Sequence, residues 1–391
     1  MRPIGLSWIA CVFVCALCMA SSPALGDWTE TTVPVTSSGG HQRAPVLASD
    51  GTGGAYIFWL EGSGYWKLPL GIRLAASRTV SSGWSDVGMP VPSQGGWGSG
   101  AETLDALSDG NGGVFVVSDS PCELTPLTFN HLLTDGTSSP GWPVLGGFQT
   151  PLQADRDQDP GILKAPHALL PWIAVEPGFG PVLAWWSVGR TVDENLIGAY
   201  ELDGRVRTGW EAQRTVRHFG SPPVVCPDGE GGAFFAWGDR VYDPINPMEF
   251  VRVQHFLFSG MIHPSWPAGS IYVNQPAGGV LVSAHPRNPG FQVMRIVSDR
   301  AGGCLVAWQW RGAGGVELSI QRLRGDGQIE SGWPEGGASV SAGPVTAGAW
   351  RHPSSVSAVP YVAMVEDRQG GAYLCWIDHR HDTDGDLYAQ H

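Results

Sequence analysis

Ser49-Asp50-Gly51-Thr52-Gly53-Gly54, followed by Ala55-Tyr56-Ile57-Phe58-Trp59, is a tight turn feeding an apolar strand, and the chain repeats it. The turn returns at Asp109-Gly110-Asn111-Gly112-Gly113, Asp228-Gly229-Glu230-Gly231-Gly232, Asp299-Arg300-Ala301-Gly302-Gly303 and Asp367-Arg368-Gln369-Gly370-Gly371. A degenerate copy is Glu176-Pro177-Gly178-Phe179-Gly180-Pro181. Five residues after the turn's last position stands a tryptophan: Trp59, Trp186, Trp237, Trp308 and Trp376, with Ser118 in the second copy. Asp caps backbone N–H groups with its side chain and Gly takes the positive φ, so each copy predicts a hairpin turn. The flanking runs, such as Pro45-Val46-Leu47-Ala48 and Ala233-Phe234-Phe235-Ala236-Trp237, are apolar throughout, the mark of a strand buried on both faces.

A second signature follows roughly thirty residues later in each unit. It is Gly83-Trp84, Gly141-Trp142, Gly209-Trp210 and Gly332-Trp333, with Ser265-Trp266 as a variant. Six residues before the tryptophan lies a turn glycine, Gly136, Gly204, Gly260 or Gly327, replaced in the first unit by Arg78. The third strand alternates, as in Val251-Arg252-Val253-Gln254-His255-Phe256, and the Gly-Trp pair is expected to open a fourth, edge-like strand. One unit is then four antiparallel strands, recurring about every 63 residues. Units with both sheet faces buried must stack face to face. Radial stacking predicts an all-β fold, a six-bladed β-propeller of four-stranded antiparallel blades, with a two-sheet sandwich array as the runner-up. The tryptophans read as packing between blades.

The sixth unit ends at its third strand, Leu387-Tyr388-Ala389-Gln390-His391. Asp27-Trp28-Thr29-Glu30 resembles the missing fourth strand, so the N-terminal strand is expected to complete the last blade and close the ring.

The pattern Asp-Gly-x-Gly-Gly, apolar strand, Trp-x-Asp-x-Arg, Leu-Tyr-Ala-Gln and a Gly-Trp turn resembles the tandem repeats of secreted bacterial β-propeller proteins. Its fullest copy is Gly370, Gly371, Trp376, Asp378, Arg380, Asp386, Tyr388, Ala389 and Gln390. The resemblance spans nearly the whole mature chain and implies architecture rather than a reaction. Similarity to sialidase-type Asp-box propellers is looser. The Asp-box spacing Ser-x-Asp-x-Gly-x-x-Trp is not matched, so sialidase chemistry does not carry over.

The N-terminus reads as a secretory signal over residues 1–26: Arg2, an apolar run from Ile9 to Met19, and small residues at Ala24 and Gly26 before a cleavage site. Neither Cys15, after Val14, nor Cys18, after Leu17, has the small residue that lipid anchoring requires. Residues 27–391 then form one exported domain, expected to be secreted, periplasmic or on the cell surface, monomeric and without a membrane-spanning segment. The formal charge is −13, with Lys67 and Lys164 the only lysines, which argues against a nucleic-acid partner. Export permits disulfides, but Cys122, Cys226, Cys304 and Cys375 have no metal-like spacing, and the last three lie in apolar strand contexts where buried thiols are common.

In such a blade the regular turns share one face, and the strand 2–3 loops share the other with the links between blades. That second face carries the variable segments Met89 to Ala101, Pro143 to Pro171, Ala268 to Phe291 and Pro334 to Val356, where binding is expected. Candidate ligand-binding residues there are Glu61, Asp119, Asp239, Arg240, Arg311, Asp378 and Arg380, with Trp97 and Trp350 as aromatic platforms. The plainer reading pairs these carboxylates and arginines with each other. Asp382, Asp384 and Asp386 offer hard oxygen ligands to Ca²⁺, but the run lacks the full loop spacing and closing Glu, which favours an ordinary acidic turn. No other cofactor is expected. No Ser-His-Asp arrangement, phosphate loop or zinc spacing stands out, so the expected function is a binding or surface-interaction module for an extracellular glycan or protein. The alternative is a carbohydrate-active enzyme, a glycoside hydrolase or lyase, with carboxylates on the loop face.

Overall fold

In the computed structural model the described residues are 35–63, 66–92, 103–119, 127–142, 167–188, 193–210, 214–217, 223–241, 248–267, 280–286, 292–312, 315–340, 362–378 and 386–391. The chain divides into two units, residues 1–37 and Ser38–His391, and the sheets belong to the second. The signal segment and all but Val35 of the closing strand expected at Trp28 to Val35 lie outside the described residues.

All assigned elements are β-strands, in antiparallel sheets that follow the repeat. Sheet 1 is β1 (Gln42–Ser49), β2 (Ala55–Ser63), β3 (Trp66–Leu74) and β4 (Met89–Pro90); sheet 2 is β5 (Leu104–Ser108), β6 (Val114–Asp119) and β7 (Leu127–Leu132). Sheet 3 is β8 (His167–Ala174), β9 (Val182–Val188), β10 (Asp193–Ala199) and β11 (Arg214–Arg217). Sheet 4 is β12 (Val224–Pro227), β13 (Ala233–Val241), β14 (Met248–Phe256) and β15 (Val280–Pro286). Sheet 5 is β16 (Gln292–Ser298), β17 (Cys304–Gly312), β18 (Gly315–Leu323) and β19 (Ala338–Ser339), and sheet 6 is β20 (Val362–Glu366), β21 (Ala372–Asp378) and β22 (Asp386–Gln390).

The Asp turns behave as their chemistry predicts. Asp228 Oδ1 accepts the N–H groups of Glu230 at 2.8 Å and Gly232 at 2.9 Å, and Asp50, Asp109, Asp299 and Asp367 repeat the arrangement. The second carboxylate oxygen takes a cation or imidazole from the end of the third strand: Arg73, His131, His255, Arg322 or His391. The ring that opens the second strand lies beside that partner in four of these units, as Tyr56, Phe115, Phe234 and Tyr373. Gly231 holds a φ of 83°, but Gly232 does not need a positive φ. Its requirement is space: a Cβ there would meet the Phe256 carbonyl oxygen at 2.3 Å.

Apolar cores lie between successive sheets. Tyr56 and Phe58 meet Val114 and Val116; Phe115 and Val117 meet Leu183 and Trp185; Ala184 meets Phe235 and Trp237. Phe234 and Val251 meet Val306 and Trp308, and Leu305 and Ala307 meet Leu374 and Trp376. Trp185, Trp237, Trp308 and Trp376 are therefore inter-sheet packing residues. In sheet 3 the residue in register is Trp185, not Trp186. Tyr200 N–H bonds the Pro181 carbonyl and pairs onward with Val206, as Leu323 does with Cys304 and Ile329, which makes Gly180 the last turn position.

The Gly-Trp pairs correct another expectation. They sit in turns before the fourth strand, not at its start, as Trp84 and Trp266 do relative to β4 and β15. Four of the five indoles reach the next repeat: Trp84 Nε1 donates to the Thr134 carbonyl at 2.9 Å, Trp142 to Leu202 at 2.6 Å, Trp210 to Phe258 at 2.9 Å and Trp266 to Gly325 at 2.9 Å. Gly209 is glycine because a Cβ would stand 2.1 Å from the Ser259 carbonyl oxygen in that neighbouring turn.

Among the described residues, the end sheets leave apolar side chains exposed on their outward faces. Leu47 is 66% exposed, whereas its counterparts Ala106, Ile173, Val225 and Ile296 are buried; Tyr373 is 53% exposed, whereas Tyr56, Phe115, Val182, Phe234 and Leu305 are buried.

Candidate functional site in the central layer

The first strand of each sheet packs on the first strand of the next, β1 on β5, β5 on β8, β8 on β12, β12 on β16 and β16 on β20, so these strands form one layer along one side of the stacked sheets. One register position recurs on all of them, opposite the fourth residue after the turn's last position. Its occupants are Val46, Asp105, Trp172, Val224, Arg295 and Ala363. Three are small and apolar. The other three, from sheets 2, 3 and 5, make a polar cluster that sequence reading missed.

Arg295 Cζ stands 4.4 Å from the centre of a Trp172 ring. Trp172 is in turn packed against the cores between sheets 3 and 4 and between sheets 4 and 5. A strand irregularity between Leu169 and Trp172, matched by one between Val293 and Arg295, re-aims both side chains. Asp105 Oδ1 accepts the Ala106 N–H at 2.9 Å and Oδ2 the Ile173 N–H at 3.3 Å, which ties sheet 2 to sheet 3. Burial pushes the Asp105 carboxyl up to about 6, against the pull of those N–H groups and of the Arg295 charge. Burial likewise lowers Arg295 to about 10, while Asp105 supports its charge. Asp105, Trp172 and Arg295 remain partly exposed. At the end of the layer carrying the Asp turns, Arg300 donates to Glu366 at 2.8 Å and to Glu176 at 3.4 Å, joining sheets 3, 5 and 6. The other end holds the starts of the first strands and the strand 2–3 hairpins.

The residues expected at that hairpin end belong to the long second strands rather than to loops after them. Glu61 Oε2 accepts the Ser38 hydroxyl at 2.6 Å and the Trp59 indole at 3.1 Å. Burial raises the Glu61 carboxyl, and bonds from Ser38, Trp59 and Gln42 outweigh it and hold it below the usual range. Buried Asp239 takes Arg252 Nε at 2.6 Å, so both carboxylates are bonded within the protein. Asp119, Arg240, Arg311 and Asp378 are placed by their backbones at the same end of their strands. Trp97, Trp350, Arg380, Asp382 and Asp384 lie outside the described residues; Asp386 is exposed, opposite Asp378. Among the described residues no group of three or more His, Cys, Asp or Glu is placed to hold a metal.

A Ser-His contact is also present. Ser283 Oγ lies 2.7 Å from His285 Nε2, which Trp308 Nε1 also approaches at 3.2 Å. Both residues are buried, and burial lowers the imidazole to about 4, so the contact is neutral packing between sheets 4 and 5. Cys226 and Cys304 are free thiols in that core, raised well above the ordinary value by burial and therefore inert.

No known protein family and no curated protein sequence matches the chain. Among solved structures, an ulvan lyase of a new polysaccharide lyase family aligns at a TM-score of 0.45 and 9% identity, over 88% of this chain and 77% of that one. An endo-arabinase from Bacteroides thetaiotaomicron aligns at 0.30 and 10% identity, over 93% and 97%. A β-fructofuranosidase from Bombyx mori aligns at 0.30 and 9% identity, over 73% and 63%. Scores this low carry over neither a site nor a reaction.

Proposed function

We propose that this protein is an exported β-propeller that binds a glycan at its centre, entering from the end where the strand 2–3 hairpins lie. The observation that carries the reading is Arg295 laid over Trp172, with Asp105 on a third sheet at the same register. An arginine offers in-plane donors and a carboxylate offers acceptors, the pair of functions that sugar hydroxyls need. The hairpin-end residues Glu61, Asp119, Asp239, Arg240, Arg311, Asp378 and Arg380, with Trp97 and Trp350, would form the rim. In this reading the six sheets close into a ring, sheet 6 packing its Val365, Tyr373 and Leu387 face on the Leu47 face of sheet 1.

A second reading, a carbohydrate-active enzyme, draws support from Asp105. A carboxyl with a pKa of about 6 retains its proton often enough near neutrality to serve as a general acid. A glycan array followed by a hydrolase and lyase substrate panel separates the two. Binding without turnover, weakened at least tenfold by D105N, supports the binding module. Turnover abolished by D105N supports the enzyme. A folded protein that binds no glycan sinks both.

A further inference from the structure

The Asp turn of sheet 2 holds the chain's one Asn-Gly pair, Asn111-Gly112. The same position in the other Asp turns is Thr52, Glu230, Ala301 or Gln369. None of these carries an amide directly on its β-carbon, so none can close a five-membered imide with the nitrogen of the next residue. The fold uses other groups of this turn. Asp109 Oδ1 accepts the Asn111 N–H at 2.6 Å and the Gly113 N–H at 2.9 Å, and the Gly112 carbonyl accepts the hydroxyl of buried Tyr56 from sheet 1. The two groups that an imide would join are left out. Among the described residues neither the Asn111 side-chain amide nor the Gly112 N–H has a hydrogen-bond partner, and Asn111 is exposed to water. Gly112 has no Cβ to screen its nitrogen.

We propose that Asn111 is a site of spontaneous deamidation, with Gly112 as its internal nucleophile. The Gly112 nitrogen loses its proton to base and attacks the Asn111 side-chain carbonyl carbon. The C–N bond of the amide breaks, and its nitrogen leaves with a proton as ammonia. Water then opens the cyclic imide at either carbonyl, giving aspartate or isoaspartate. One water is consumed, one ammonia is released, and nothing is oxidised or reduced. Isoaspartate lengthens the main chain by one methylene between two fixed points, the Asp109 cap and the Tyr56 hydroxyl. The Gly112 carbonyl and the Gly113 N–H then cannot both keep their partners, and a buried hydroxyl left without an acceptor is costly. Either product also adds a carboxylate two residues from Asp109, which already faces His131. The part weakened is the seam between sheets 1 and 2, where Tyr56 meets Val114 and Val116.

The test incubates the mature protein at pH 6 and pH 9 and follows the peptide spanning Asn111 by mass spectrometry, with isoaspartyl methyltransferase labelling of the product. Conversion at Asn111 that is at least tenfold faster at pH 9, as loss of the Gly112 proton requires, and that is absent in N111T, supports the proposal. A Tm that falls as isoaspartate accumulates, and stays constant in N111T over the same incubation, supports the link to sheet 1. N111T installs the residue that sheet 1 uses at this position; should it not fold, the time course of the wild-type chain still decides. Asn111 intact in the folded protein after the same chain unfolded in urea has converted would overturn the proposal. Full conversion with an unchanged Tm would overturn the link to Tyr56.

Discussion

Arg73 Nη2 lies 2.9 Å from Asp50 Oδ2, while the other oxygen of the same buried carboxylate caps the turn at Thr52 and Gly54. One carboxylate thus joins the end of the third strand to the turn between the first two. Burial raises the Asp50 pKa, and the bonds from Thr52, Arg73 and Gly54 outweigh it and hold the group at about 2. The folded value is below the unfolded one, near 3.9. The stabilisation is therefore full above about pH 4 and fades as pH falls toward about 2. We expect D50N to be less stable than wild type at pH 7, with the gap narrowing below pH 4. Urea midpoints at pH 7, 4 and 3 check this; a gap constant across that range would contradict it.

Gly232 is expected to tolerate no side chain. Its Cβ would collide with the Phe256 carbonyl and with Asp228 Oδ2, at 2.3 and 2.5 Å. Backbone on one side and a turn-capping carboxylate on the other leave little room to relax. G232V should cost more than about 1 kcal/mol and lower Tm by several degrees. G229A is the control, strained only by its φ of 89°, with open space around it. Equal melts for G232V and wild type would remove the crowding argument.

Trp210 is buried and its indole N–H is spent on the Phe258 carbonyl of the next repeat. W210F keeps most of the ring and leaves that carbonyl without its donor, at a cost of about 1–3 kcal/mol. W210A adds the cavity, for about 3–5 kcal/mol. Denaturant titration should rank wild type, W210F and W210A in that order. Identical midpoints for wild type and W210F would show the bond to be incidental.

The fold was legible because its devices are local and repeated. An Asp that caps two N–H groups and a glycine beside a carbonyl need only their own turn, so five copies could be aligned by eye. Trp185 and Trp186 show where this fails: two adjacent tryptophans after a degenerate turn differ by one residue, and only strand register tells them apart. The function of Gly-Trp was misread because its partner belongs to another repeat. The central layer was wholly hidden. Asp105, Trp172 and Arg295 share no motif and are far apart in sequence; only the packing of each first strand on the next brings them into one layer. A search for charged residues among otherwise apolar first strands would have found Asp105 and Arg295. Carboxylates after the conspicuous tryptophans drew attention instead, and Glu61 and Asp239 prove to be bonded within the protein.

Ring closure yields the last prediction. Every inner sheet buries both faces, yet Leu47 on sheet 1 and Val365, Tyr373 and Leu387 on sheet 6 are exposed, Leu387 to 74%. Their equivalents elsewhere are core residues, and an apolar surface of this kind left open invites association. If the two faces meet, L47D and Y373D each place an unpaired charge in an apolar seam, and each should cost several kcal/mol. Their effects should also be less than additive, because either one opens the same seam. Deleting residues 27–35 tests the closing strand separately: it should lower Tm and promote aggregation by leaving β22 as an edge. In an open array Leu47 and Tyr373 face water, both substitutions are nearly neutral, and the deletion merely frays a terminal unit. Monomeric L47D and Y373D proteins with wild-type melts would establish the open arrangement.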